Sequence, residues 1–193
     1  SIGWYAMAMV DVLDYVPAQH PQRKVLIDRI NVLAAALVKY QHPVKGVWYQ
    51  VTDQGDRKVV RPVVSEAEAH SVAAAPSAVK PEIRSANYLE SSASAMFLYF
   101  LSKSVRKGYL SNQYLAAIDN ARNGVLSEFV IENARGGYDI LNCCAVAGLG
   151  GDGTRRDGTF EYYISEPVIT NDPKSTGSII LAMLEVERLK AGQ

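Results

Sequence analysis

The chain of 193 residues balances 20 basic against 20 acidic side chains, with 48% apolar and 21% charged content. That balance supports one soluble globular domain with a sizeable core, and it supplies no basic field to attract nucleic acid or an anionic membrane. No apolar run reaches the roughly 20 residues of a membrane span, because Asp11 and Asp14 interrupt the most hydrophobic segment. The start lacks the basic region and cleavage site of a secretory signal, as a mature or shortened chain also would. From Gly3 to Tyr15 the text GWYAMAMVDVLDY is apolar on nearly every side and predicts a buried helix that stops at Pro17. Pro21 opens a second helix, where Leu26, Ile30, Leu33 and Leu37 recur at three- and four-residue steps opposite Arg23, Lys24, Asp28 and Lys39. The stretch 58–85, rich in Val, Ala, Ser and Pro and without an aromatic ring, reads as an inserted surface excursion.

A third helix is expected from about Leu89 to Lys107, ended by Gly108 in the position favoured for a left-handed cap. Ser111 caps a fourth, with Tyr114, Leu115, Ile118, Ala121 and Val125 on its apolar face. The text EFVIENARGGYDILN predicts a small β-hairpin turning around residues 134–137. Asp172 and Pro173 form the N-cap and first position of a fifth helix, carried on by Ile179, Met183, Val186 and Leu189. Apolar helices alternating with two-sided ones imply an all-α fold of antiparallel hairpins, inner helices lining a core and outer ones facing water.

Three decoys are set aside on chemistry. Cys143 and Cys144 are adjacent, which closes no long loop and gives no metal-ligand spacing, so they read as small buried hydrophobes. His20, His42 and His70 lack ligand partners at helical spacing, and neither metal nor cofactor is expected. Gly148, Gly150 and Gly153 match a dinucleotide-type glycine pattern, but polar, turn-rich TRRDGTFEYY follows where the phosphate-binding helix would have to start.

The stretch NYLESSASAM carries more. Asn87 can cap the third helix, with Glu90 returning the bond in a capping box. Ser91, Ser92 and Ser94 add hydroxyls beside free amides at a positive helix end, a site suited to an acidic sugar. Trp48 in GVWYQVTDQG, and Tyr163, Glu166, Asn171 and Lys174 in FEYYISEPVITNDPK, supply the flat rings and polar groups a carbohydrate site needs. Packing of the loops onto the helices is the competing role for Trp48 and Tyr163.

The segments GWYAMAMVDVLDY, LAAALVKYQ, GVWYQV, NYLESSASAMFLYFLSKSVRKGYL, VAGLGG and YYISEPVITNDPKSTGSI resemble, in order and spacing, the unsaturated rhamnogalacturonyl hydrolases of glycoside hydrolase family 105, related to the unsaturated glucuronyl hydrolases of family 88. The resemblance covers almost all of the chain outside 58–85. It implies part of an (α/α)6 barrel, residues 1–193 forming the C-terminal half, and removal of the 4,5-unsaturated uronic acid that lyases leave on pectin fragments. In that family an aspartic acid protonates C4 and helps water add at C5, so the usual two-carboxylate account does not transfer. The resemblance places that aspartate upstream of Ser1, leaving no catalytic residue in this chain and a structural role for Asp11 and Asp14. It makes Trp4 a stacking contact, puts Glu90 and Ser91 near the barrel mouth, and assigns Tyr163, Glu166, Asn171 and Lys174 to a loop that meets the sugar. The expected partners are an unsaturated uronic-acid oligosaccharide and the other half of the barrel, in a bacterial cytoplasm or periplasm. A half-ring alone would expose Trp4, Met7, Val10 and Phe97. A non-catalytic carbohydrate-binding half-barrel, or a different six-hairpin carbohydrate enzyme, is the alternative.

Overall fold

The computed structural model describes residues 2–59, 86–150 and 156–192, and among these described residues helical periodicity becomes six α-helices. They are α1 (Ile2–Val12), α2 (Arg23–Tyr40), α3 (Ser91–Arg106), α4 (Leu115–Phe129), α5 (Phe160–Ser165) and α6 (Pro173–Lys190). Strands β1 (Val130–Glu132) and β2 (Tyr138–Ile140) form the expected antiparallel hairpin, with Ile131 opposite Asp139. A second antiparallel pair joins β3 (Cys143–Cys144) to β4 (Val168–Ile169). The excursion expected over 58–85 lies outside the described residues except for Lys58, which bridges Ala86, and Val59.

Element ends differ from the sequence pattern for local reasons. The first helix stops at Val12 rather than Tyr15, because the N–H groups of Asp14 and Tyr15 turn back onto the Asp11 and Val12 carbonyls. The Arg23 guanidinium then takes the freed Leu13 and Val16 carbonyls at 2.7 and 2.6 Å. Pro21 stays in the turn, and helix begins at Arg23. Ser111 caps a single 3-10 turn, Asn112–Tyr114, without a side-chain bond, so α4 starts later than predicted and leaves Leu115 exposed. Asp172 caps α6 as expected, its Oδ1 accepting from the Lys174 N–H at 2.7 Å.

Side-chain pairings fix the directions of the helices. Gly3 packs on Met96, Asp11 meets Tyr99 and Lys103, and Asp14 meets Lys107, so α1 runs parallel to α3. Ser178 reaches the Ser92 carbonyl while Glu185 binds Arg106, so α6 is parallel to α3 on its other side. α2 returns antiparallel to α1, its start at Arg23 bonded to the residues that end α1 and to Tyr109. Three parallel inner helices therefore bring their N-termini to one end. The middle one buries 13 of its 16 residues, so α3 is the axis of the core.

Trp48, Phe97, Phe100 and Phe129 are the largest core side chains. The indole of Trp48 meets Phe97 edge to face at 5.3 Å, and its Nε1 donates to the Leu37 carbonyl at 2.7 Å. Of the residues expected to be exposed on a half-ring, Met7, Val10 and Phe97 are buried and only Trp4 is open, because α2 and α3 already cover the inward side of α1. The 42–47 turn is clamped to α4: a Cβ at Gly46 would lie 2.1 Å from the Asn120 carbonyl oxygen, and one at Gly124 1.9 Å from that of Lys45.

Charges collect at the opposite end from the helix N-termini. Lys103, nearly buried, donates to Asp11 at 2.6 Å and pairs with Asp14 at 2.7 Å, and Lys107 pairs with Asp14 at 2.8 Å. Burial disfavours the charged form of Lys103, yet its bonds to Asp11 and Asp14 outweigh this and raise its pKa. Burial, then the hydrogen bond to Asp11, pushes the Tyr99 phenol up to about 12. Burial would raise Asp14, but the bonds from Lys103 and Lys107 hold its carboxyl below the usual value. These lysines and Arg106 complement the negative ends of the inner helices. Asp11 and Asp14 thus tie the end of α1 to the end of α3 through ion pairs.

Two stability measurements follow from these contacts. Gly124→Ala should destabilise the fold by about 2–3 kcal/mol in denaturant melts, through overpacking against the backbone. Gly177→Ala, at a position with nothing within 4 Å, should instead stabilise by up to about 1 kcal/mol through helix propensity. Since the Asp14 carboxyl is depressed when folded, its contribution is fully present above the unfolded value of about 3.9. It fades as pH falls through the lower folded value. The gap in melting midpoint between wild type and Asp14→Asn should therefore narrow on acidification from pH 7 towards pH 3.

Candidate functional site

The shared N-terminal end of α1, α3 and α6 is where the polar residues singled out in the sequence gather. Glu90 itself is the N-cap of α3, its Oε2 accepting from the Ala93 N–H at 2.6 Å. The expected capping box is not formed. Asn87 instead braces the neighbouring loop, donating to the Val51 and Gly55 carbonyls at 2.9 and 2.7 Å and accepting from the Val51 N–H at 3.1 Å. The Oε1 of Glu90 accepts from the Ser92 hydroxyl at 2.8 Å and from the Cys144 N–H at 3.0 Å. A carboxylate thus occupies the positive end of α3, which corrects the expectation of an open anion site there.

The serines turn inward for the same reason. Ser94 Oγ accepts from the Trp48 N–H at 3.0 Å. Ser91 is fully buried, donates its N–H to Asn142, and its hydroxyl finds no hydrogen-bond partner among the described residues. Trp48 is likewise withdrawn: it is completely buried, so its ring cannot stack on a sugar. Burial of a large ring under the α3 head contributes more than exposure at a rim could recover.

Beside Glu90, the strand Cys143–Cys144 and Ala145 form a floor. The Ala145 N–H donates to the Pro167 carbonyl at 2.8 Å, and the Lys174 ammonium donates to the Ala145 carbonyl at 2.9 Å. Lys174 also pairs with Asp172 at 2.8 Å; burial opposes its charge, but the Asp172 bond prevails and raises its pKa. Burial, then the Glu90 charge, pushes the Cys143 thiol up to about 12. Cys144 is pushed up to about 11 by burial, with Glu90 and Glu166 adding and Tyr88 and Lys174 opposing. Glu166 is buried at the end of α5, where the Tyr162 hydroxyl bonds to it while accepting from the Gly148 N–H at 2.9 Å. Tyr163, half-buried, tilts against Tyr162 with centroids 5.0 Å apart.

Asn171 has a scaffolding position. At φ +61° its Oδ1 accepts from the Ile140 N–H at 2.7 Å and its Nδ2 donates to Asp139 at 3.0 Å, tying β2 to the head of α6. Trp4 stands at the start of α1, 55% exposed beside an equally open Tyr5. The structure therefore brings Glu90, Ser91, Glu166 and Lys174 together around Cys143–Ala145, sets Tyr163 on α5, Asn171 in the turn before α6 and Trp4 at the same end, and buries Trp48. Tyr162 and Asp172, which lie in the same aromatic-rich loop text, join these residues in the structure. The Tyr162–Glu166 spacing of four is informative only once that loop is known to be helical. A groove of about 520 Å³ lies at the far end, lined by Leu13, Asp14, Arg23, Lys107 and Tyr109. Its charged groups are already paired with one another or with carbonyls.

The pattern of glycosyl hydrolase family 88 matches residues 1–65 and 77–190. A 24.9 kDa protein in the picA locus of Rhizobium radiobacter is 34% identical over 191 residues, covering 96% of this chain and 69% of that protein. A family 105 glycoside hydrolase of C. acetobutylicum superposes with a TM-score of 0.76 at 37% identity, covering 96% of this chain and 44% of that one. A possible family 105 member from Salmonella enterica has the same fold, with a TM-score of 0.65 at 22% identity over 98% of this chain and 38% of its own. The chain thus spans less than half the length of these solved relatives, and its architecture is part of their six-hairpin (α/α)6 barrel.

The raised thiols carry a direct test. At pH 8, Ellman's reagent should label neither Cys143 nor Cys144 in the folded chain and both after addition of denaturant.

Proposed function

The chain belongs to glycosyl hydrolase family 88, and from that membership we propose that it forms part of an enzyme that removes an unsaturated uronic acid from lyase-generated oligosaccharides, rhamnogalacturonyl fragments first among them. One observation carries the reading: an exposed tryptophan and a rigid, hydrogen-bonded polar floor share the end at which three parallel inner helices begin. In this reading Trp4 stacks on the apolar face of the unsaturated ring. Lys174 has given two of its three N–H donors to Asp172 and Ala145, and the third serves the uronate carboxylate. Tyr163 borders the same space. The proton donor to C4 is an aspartic acid outside this chain, whose pKa must be raised for it to act near neutral pH. Water then adds at C5, and the hemiketal opens to release the next sugar. The enzyme acts in the bacterial cytoplasm or periplasm, where such oligosaccharides are processed.

A carbohydrate-binding half-ring without turnover is the second reading. It is favoured by the engagement of the rim carboxylates Glu90 and Asp172 in helix caps, which leaves neither as an acid.

Incubation of the complete protein with unsaturated rhamnogalacturonan disaccharide should abolish the ultraviolet absorbance of the double bond. Trp4→Ala should lower kcat/KM about tenfold or more, the equivalent of about 1.4 kcal/mol in transition-state binding. Persistence of the absorbance, both with this substrate and with glucuronyl analogues, would reject the enzymatic reading in favour of the second.

A further inference from the structure

The segment that follows β3 is irregular backbone, so its position depends on individual hydrogen bonds rather than on a ladder. Ala145 is fixed at its start: its N–H donates to the Pro167 carbonyl at 2.8 Å, and its own carbonyl accepts from the Lys174 ammonium at 2.9 Å. The next anchor among the described residues is Gly148, whose N–H donates to the Tyr162 hydroxyl at 2.9 Å. Side-chain packing adds little, since Val146 and Leu149 are 49% and 72% exposed. The anchor itself is buried and rigid, with the Tyr162 N–H bonded to the Thr159 cap of α5 at 3.1 Å and Glu166 closing that helix at its other end. A phenol has one hydrogen and two lone pairs, whereas an ionised carboxylate only accepts. The Tyr162 hydroxyl therefore donates to Glu166 and turns a lone pair to Gly148, so the bonds run one way, from amide to phenol to carboxylate. Burial holds the phenol above its ordinary pKa, the Gly148 amide opposing and Glu166 adding, which keeps that hydrogen in place.

We propose that Tyr162, oriented by Glu166, is a positioning residue for Lys174: it pins the segment 145–148 from its far end, sets the direction of the Ala145 carbonyl, and through that carbonyl aims the ammonium at the uronate. This rests on the role of Lys174 in the proposed function and adds the residue that fixes its geometry. The Ala145 carbonyl belongs to the peptide that leaves the β3–β4 ladder, so the Pro167 bond holds one side of it and the Gly148 bond the other. An ammonium has three equivalent donors, and the direction of the third is set only when two acceptors are fixed. Asp172 is one such acceptor and the Ala145 carbonyl is the second. Without the phenol, the peptide after Ala145 can rotate and the third donor loses its aim. Tyr162 is itself too buried to touch a sugar, so it acts through Lys174.

Two readouts separate the anchor from the reaction. In backbone amide exchange, Tyr162→Phe, which keeps the ring and removes the hydroxyl, should speed exchange at Gly148 about tenfold or more and leave the 130–140 hairpin unchanged. With the complete protein and unsaturated rhamnogalacturonan disaccharide, KM, or Kd by calorimetry where no turnover occurs, should rise about tenfold while any kcat holds within about twofold, as for lost binding. Adding Tyr162→Phe to Lys174→Met should then change KM or Kd by less than about twofold, because the two residues act as one unit. Glu166→Gln still offers an oxygen to the phenol and should fall between wild type and Tyr162→Phe; it also serves if Tyr162→Phe loses its helical circular dichroism. Tyr138→Phe, on the exposed hairpin, should change nothing. Unchanged exchange at Gly148, no binding of the disaccharide, an unchanged KM or Kd, a fall in kcat alone, or full additivity with Lys174→Met would each overturn the proposal. Absence of turnover together with weakened binding in Tyr162→Phe would instead reject the catalytic reading and support this one.

Discussion

The buried carboxylate of Glu90 is the point through which the rim is built. An ionised group with 1% exposure is tolerated only when its lone pairs are taken up. Glu90 meets that demand by drawing on three separate features: the Ala93 amide of its own helix, the Ser92 hydroxyl and the Cys144 amide from 54 residues away. Its backbone N–H donates in turn to the Trp48 carbonyl at 3.0 Å. One residue therefore fixes where the helix starts, where the β3 strand lies and where the tryptophan loop crosses. Charge-assisted bonds of this kind are stronger than neutral ones, and they hold position as well as contribute energy.

Because α1, α3 and α6 run the same way, their end charges add. The positive ends meet carboxylate caps at Glu90 and Asp172, and the C-terminal half of α3 carries Lys103 and Arg106, with Lys107 just beyond. The consequence for recognition is chemical. A helix end neutralised by its own cap has little field left for a ligand, so under the proposed function discrimination of a uronate would fall to ring stacking and a positioned ammonium. The serines that seemed to advertise an anion site are small for a packing reason instead, since they let the 47–50 loop and α6 approach the head of α3.

Legibility in the sequence followed from how local the cause was. The periodicity of α2 and α6, the Asp172–Pro173 start, the hairpin around residues 134–137 and the stop at Gly108, where φ is +72°, depend on neighbours in the chain and were readable. The role of Glu90 was half-readable: its place before an apolar run signals a cap, but the Cys144 amide that completes its shell comes from a remote strand. Trp48 and Trp4 show the limit most clearly. Both sit in aromatic-rich text, yet one is sealed beneath Leu37 and Phe97 and the other stands open, a difference set entirely by tertiary packing. The start of α2 at Arg23 was hidden likewise, since it depends on carbonyls freed at the end of α1 and on Tyr109 far along the chain.

The same helices carry both the rim and the edges of the array. Trp4 lies on α1 next to Tyr5, and Lys174 lies on α6 about two turns before the exposed Ile180, Leu181 and Leu184. Close-packed helices transmit displacement as rigid bodies rather than absorb it, so whatever sets the tilt of α1 and α6 at their open sides also sets the separation of the tryptophan from the ammonium. α3 cannot buffer that coupling, because its contacts on both flanks are already filled. Under the proposed function, substrate geometry at the rim is therefore a property of the whole ring, and α1, α3 and α6 determine the floor of the site more firmly than its width.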